Sequence, residues 1–239
     1  MSAIFLRDNE QRNKIAYGFI MSMTVVSFIS FCTELIGIII INKLIAGDFI
    51  EDATLELFDN SMQAVRVLYI GIFVGAVITF IMWFRRAYYN VHEFAITPPK
   101  YSEGWAAGAW FIPIISLIRP IQIMKEIWFE TIAFLRNKTT NAPLEPPMGK
   151  LNLWWGTWVV GSIIGNISSR FFSDSEVLDE MIIGYYLDIT VSVLIMISGI
   201  TLLQLIKEYG VLENELHTAE NNVDQDSIFY DSIHVETDA

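Results

Sequence analysis

The residue with the clearest chemical potential is Glu34, the only carboxylate deep inside a long apolar run. With Ser27, Ser30 and Gly37 it falls at spacings of three and four, on one stripe of a helix. A carboxylate at membrane depth is costly and marks a transport pathway, a proton relay or a buried polar partner. Two readings stay open. Glu34 is either a structural acid bonded by a neighbouring helix or the wall of a polar cavity. Asp188 lies near the outer end of the last apolar run, where hydration is easy, so structural pairing is its simpler role.

A second group of reactive types lies in the middle, over residues 105–128, which read W-A-A-G-A-W-F-I-P-I-I-S-L-I-R-P-I-Q-I-M-K-E-I-W. Trp105, Arg119, Gln122, Glu126 and Trp128 place a cation, an amide, a carboxylate and two indoles around a stretch broken by Pro113 and Pro120. An arginine with aromatic neighbours beside apolar sequence suits an anionic headgroup or a membrane partner. Arg85, Arg86 and Arg170 also fall at ends of apolar runs, where snorkelling to phosphate is the ordinary role. Trp154, Trp155 and Trp158 open another run and are expected to anchor at headgroup level.

Motifs of known reactions are missing: there is no G-x-S-x-G, H-E-x-x-H, G-x-G-x-x-G or P-loop. Cys32 is the single cysteine, and His92, His217 and His234 are scattered, so no cofactor or metal is implied. The formal charge of −12 argues against nucleic acid, which needs a basic face. These absences lean away from an enzyme.

The elements that must position these residues are helices in lipid. With 53% hydrophobic and 18% charged residues, the composition departs from that of soluble domains. Four runs are long enough to span a bilayer, about 17–41, 67–84, 151–168 and 187–206. Gly71/Gly75 and Gly161/Gly165 give them small-xxx-small spacings for close helix packing. Lys and Arg cluster in residues 1–16, 85–104 and 136–150, whereas the 42–66 and 169–186 loops are acidic. The positive-inside rule makes the first three cytoplasmic. The centre, flanked by cytoplasmic loops, therefore crosses an even number of times or not at all. After Pro120, residues Ile121, Ile123, Met124, Ile127, Trp128, Ile132, Phe134 and Leu135 form one apolar arc, with Phe129 intruding on the polar face. A short apolar dip, a break at Arg119-Pro120 and an interfacial helix follow as the expectation.

The expected fold is all-α: a polytopic helical membrane protein with four transmembrane helices and a central re-entrant or interfacial broken helix pair over 105–135. Residues 1–16 form a cytoplasmic N-terminus. Residues 207–239, rich in Glu and Asp, continue the last helix for a turn or two and then form an acidic, disordered cytoplasmic tail. Within it, Ile228-Phe229-Tyr230 is a candidate docking patch. Pro143, Pro146 and Pro147 stiffen the 136–150 linker.

Several motifs carry a resemblance. Arg86-Ala87-Tyr88-Tyr89-Asn90 follows the second run, and Trp105-Ala106-x-Gly108-x-Trp110-Phe111-Ile112-Pro113-Ile114 comes next. Arg119-Pro120-x-Gln122, Glu126-Ile127-Trp128, Leu153-Trp154-Trp155-x-x-Trp158 and Gly165-Asn166-Ile167-Ser168-x-Arg170 complete the series. In order and spacing, over roughly 67–206, they resemble the bacterial domain-of-unknown-function family numbered 4328. The resemblance implies a multi-pass bacterial inner-membrane protein with no assigned activity. It carries over Arg86, Asn90, Trp105, Pro113, Arg119, Pro120, Gln122, Glu126, Trp128, Trp154, Trp155, Asn166 and Arg170. With Glu34, the functional expectation is a scaffold or sensor-like protein that binds a lipid headgroup, a membrane partner or a second copy of itself. The alternative is a small transporter or channel subunit, and a membrane-embedded enzyme ranks last.

Overall fold

A computed structural model describes residues 6–138, 145–172, 175 and 177–237, with side chains described as far as Glu220. Pro143 of the stiff linker and the acids Asp174 and Glu176 lie outside the described residues, as do the side chains of Ile228, Phe229 and Tyr230. The described residues are helical and contain no strand.

Three helices are very long: α1 (Glu10–Ile45), α2 (Asp52–Phe94) and α7 (Leu178–Thr237). Between α2 and α7 come short α3 (Trp105–Gly108), a 3₁₀ turn (Ala109–Phe111), α4 (Pro113–Ser116), α5 (Arg119–Lys138) and α6 (Met148–Phe171). Local chemistry explains several boundaries. The Asp8 carboxylate accepts the Glu10 N–H at 2.9 Å, satisfying one orphan donor where α1 begins. Pro113 forces Ile112 into an extended conformation (φ −105, ψ 117), which separates α4 from the turn before it. Pro120 sits in the first turn of α5, where its missing N–H costs nothing.

Helices α1, α2 and α7 are each long and apolar enough to cross a membrane, and only 22–33% of their most apolar windows is buried within the protein. Side chains such as Phe28, Ile36, Ile39, Val67, Ile70 and Ile200 point outward. In water such exposure opposes folding, whereas lipid solvates it. The expectation of four spans is met by three on this measure. At 24 residues α6 is about 36 Å long, enough to cross. Its Asn, Ser, Gly and Trp residues dilute its apolarity.

The chain divides into two compact units. Unit 1 comprises Met1–Asn13, Ile81–Met148 and Leu205–Ala239, and unit 2 comprises Lys14–Phe80 and Gly149–Gln204. In unit 1, α5 buries Ile123, Met124, Ile127, Trp128, Ile132, Phe134 and Leu135, the arc expected from its period except Ile121, which is half-buried, and Phe129 stays half-exposed. The end of α2 contributes Trp83, Phe84, Ala87, Tyr88 and Val91, and α7 contributes Leu205, Ile206, Tyr209, Leu212 and Leu216. Helix α7 therefore stays packed well past the turn or two expected for it. Its apolar residues recur at spacings of three and four between the acids, so one face remains buried.

In unit 2 the helices approach closely at glycine. A Cβ on Gly37 would lie 2.5 Å from the Tyr185 ring, and one on Gly75 would meet Phe19. Gly161 and Gly165 touch Leu194, Ile195 and Val191 of α7 at ordinary contact distance, while Gly71 faces open space. Close packing thus falls on three of the four glycines in the small-xxx-small pairs.

Candidate functional site

In unit 1 the chain between α2 and α5 is fastened to both helices by one hydroxyl and one carboxylate. Tyr88 Oη donates to Glu126 Oε2 at 2.7 Å and lies 2.9 Å from the Tyr101 carbonyl. Glu126 Oε1 takes the Lys100 N–H at 2.6 Å. Burial and the Glu126 bond push the Tyr88 hydroxyl well above the ordinary phenol range, so it stays a donor. His92 turns Nδ1 to the Tyr88 carbonyl and Nε2 to the Tyr101 carbonyl, at 2.9 and 3.0 Å. Both partners are acceptors, so the neutral ring, with one N–H, donates to one carbonyl at a time. Glu126 and His92 are thereby linked through Tyr88 and Tyr101.

That fastening presents a shelf for Arg119. The Tyr101 hydroxyl donates to Gln122 Oε1, which fixes the phenol ring. The Arg119 guanidinium lies 3.8 Å from the Trp105 ring centre and 4.6 Å from that of Tyr101. Stacking on aromatic faces satisfies the cation's flat surfaces and leaves its N–H edge for other bonds. Nη1 of Arg119 is buried with no hydrogen-bond partner among the described residues. Beside it the broken segment exposes Phe111 (75%) and Ile114 (77%), with Ile112, Leu117 and Ile118 also exposed. A cation on an aromatic shelf with an apolar apron is suited to an anion held at the edge of a bilayer.

A second polar cluster in unit 1 is buried. Asn90 Oδ1 accepts the Arg7 N–H, and Asn90 Nδ2 donates to the Arg7 carbonyl and to Glu213. Asn9 Nδ2 also donates to Glu213 Oε1 at 3.1 Å. Glu213 lies beyond the apolar 187–206 run, and burial pushes its carboxyl up to about 7, with Asp8 adding to the rise. The amides of Asn9 and Asn90 and the Arg86 charge act the other way. Trp128 packs on Tyr209 at 5.6 Å, and Tyr209 meets the Thr131 hydroxyl at 3.2 Å. Arg86 is half-buried, with its pKa lowered by burial and by Arg12 and Arg7.

Unit 2 holds the remaining candidates. Ser192 donates to both oxygens of buried Glu34, at 3.0 and 3.2 Å, so this acid has its partner on α7. Trp154 and Trp155 are buried, contrary to the expectation of headgroup anchors. Trp154 packs on Phe80 and Trp155, and its carbonyl takes the Ser198 hydroxyl. Asn166 is exposed and bonds the Ser162 carbonyl of its own helix, and Arg170 is exposed. Arg86, Asn90, Trp105, Arg119, Gln122, Glu126 and Trp128 lie in unit 1, whereas Glu34, Trp154, Trp155, Asn166 and Arg170 lie in unit 2.

A model of the family described as a domain of unknown function (DUF4328) matches residues 47–210. The chain belongs to this family. No curated protein and no solved structure matches it. The DUF4328 match takes in the whole Arg119 shelf, from Tyr88 to Glu126, and Asn90 of the second cluster. Arg7, Asn9 and Glu213, which complete that cluster, fall outside it.

Three residues central to this geometry escaped the sequence reading. Tyr88 stood inside a quoted DUF4328 motif, four residues before His92, a spacing that puts both on one helix face. Tyr101 carried no local signal. Glu213 sits among Tyr209, Leu212 and Leu216 at helical spacing, and that pattern distinguishes it from the other acids of its segment.

Proposed function

We propose that this protein is a multi-pass inner-membrane protein of bacteria that recognises an anionic lipid headgroup at the bilayer interface, with Arg119 as the recognising cation. The observation that carries the proposal is the Arg119 guanidinium stacked on Trp105 and Tyr101 with Nη1 buried and unpartnered, beside exposed Phe111 and Ile114. The apolar apron lies in the lipid, and the N–H groups of the guanidinium other than buried Nη1 meet a phosphate. The segment 105–118 then acts as an interfacial dip rather than a crossing.

The fourth span in this proposal is α6. Its Leu153, Val160, Ile163, Ile167 and Phe171 are exposed along one helical stripe, as on a lipid-facing surface. Parity supports the same count. Residues 1–13 and 205–239 share unit 1, together with the end of α2 and the segment leading to α6. Ends on one side require an even number of crossings. The excess of Lys and Arg in residues 1–16, 85–104 and 136–150 makes that side cytoplasmic.

Two measurements test this. Native mass spectrometry of protein from mixed phosphatidylglycerol and phosphatidylethanolamine nanodiscs should count retained phosphatidylglycerol. Arg119→Gln should lose a bound copy that Arg85→Gln keeps, since Arg85 is an exposed cation already paired with Glu103 at 3.1 Å. Equal retention by both variants refutes the headgroup site. For topology, Phe49→Cys in a Cys32→Ser background should label only from outside, and tags on both termini only from inside. Termini on opposite faces would remove α6 from the spans.

A further inference from the structure

A cavity of about 430 Å³ opens within unit 2, lined by residues of α2, the end of α6 and the start of α7. Its size is in the range of about 300–1,000 Å³ typical of small-molecule sites. The first turns of α2 bring Asp59 and Arg66, the end of α6 brings Ser168, and the start of α7 brings Tyr185 and Asp188. Both signs of charge therefore face one space. Among the described residues, neither Arg66 nor Asp59 makes an ion pair or a hydrogen bond, although the Arg66 charge is felt at Asp188 and Tyr185.

The walls are set in place. Ser168 Oγ donates to Asp188 Oδ1 at 2.6 Å, which orients the carboxylate and leaves Oδ2 for another donor. The Tyr185 ring is seated against Gly37, where any side chain would displace it. Met62 and Met181 add pliable apolar surface to the lining. A space lined by carboxylates, a guanidinium and apolar methionines matches a molecule that carries an ammonium, a carboxylate and an apolar body.

We propose that this cavity binds a small zwitterion of the amino-acid class, with the ammonium on Asp188 and Asp59 and the carboxylate on Arg66. The site is independent of the Arg119 shelf and stands or falls without it. It gives the chain a small-molecule ligand at the end of unit 2 away from residues 149–152 and 201–204. Glu34 is not among the lining residues, so its bond to Ser192 serves the packing of α1 on α7.

The test uses the full chain in detergent micelles, with thermal unfolding followed while each common amino acid is titrated. At least one should raise Tm saturably, and its decarboxylated amine and its deaminated acid should not. Arg66→Gln and Asp59→Asn sit at exposed positions that do not threaten folding, and Asp188→Asn keeps an oxygen for Ser168. Arg66→Gln and Asp188→Asn should each weaken binding about 3-fold or more, as expected when one partner of a solvent-accessible charge pair is lost. Silence from every amino acid overturns the proposal. So does an amine that works as well as the zwitterion, or a shift that survives both Arg66→Gln and Asp188→Asn.

Discussion

Asn90 holds the backbone of Arg7 at two points, accepting its N–H at 3.0 Å and donating to its carbonyl at 2.9 Å. A carboxamide carries its donor and its acceptor on two separate atoms, which suits it to brace an N–H and a carbonyl at once. The clasp fixes the N-terminal segment on α2, and the Arg7 guanidinium then lies 3.7 Å from the Tyr89 ring.

Asn90→Ala should therefore release residues 6–9. Hydrogen exchange at the Arg7 amide should speed up, and stability should fall by about 1–3 kcal/mol, the cost of leaving buried partners unsatisfied. Unchanged exchange at Arg7 would show the clasp to be dispensable.

Glu213 gives a signed pH dependence. Its folded pKa, about 7, exceeds its ordinary value of 4.5, so the folded state holds the proton more tightly. Its contribution to stability is fully present below pH 4.5 and is lost as pH rises towards 7. The span of that loss is at most about 3 kcal/mol. Glu213→Gln should flatten the dependence of Tm on pH across this window, with little change at the acid end.

Glu126 receives donors on both oxygens, Tyr88 Oη on one and the Lys100 N–H on the other. Glu126→Gln turns one of those positions into an amide nitrogen facing a donor. A loss of about 1–2 kcal/mol is expected on thermal unfolding. Gln122→Ala, at an exposed position, should cost less and serves as the comparison.

Gly37 and Gly71 should part company. Gly37→Ala drives a methyl into the Tyr185 ring and should cost about 1–3 kcal/mol. Gly71→Ala meets nothing within 4 Å and should be neutral or stabilising by about 0.5–1 kcal/mol, the usual helical preference for Ala. Melting temperatures of the two variants in one detergent decide it.

Much of α5 was legible because a 3.6-residue period is a local property, and Ile123 to Leu135 obey it. The place of Arg119 at the head of that helix followed from Pro120. Trp154 and Trp155 were misread because an indole at the start of an apolar run looks the same whether it anchors at the headgroups or packs inside. The Asn9–Glu213 bond spans 204 residues, and no local pattern encodes such a pairing. The Tyr88–Glu126 bond was hidden for the same reason, although both residues stood in quoted motifs.

Unit 1 is assembled from three separated pieces of chain, the last beginning at Leu205. As the ribosome delivers the chain from its N-terminus, Asn9 and Asn90 emerge long before Glu213 exists to receive them. Helices α1, α2 and α6 have all been synthesised by then. Closure of unit 1 accordingly waits for its last piece, and a chain stopped before residue 213 would leave the two amides without their Glu213 acceptor. Such an incomplete product leaves Asn9 and Asn90, both buried in the complete unit, with one hydrogen-bond partner fewer.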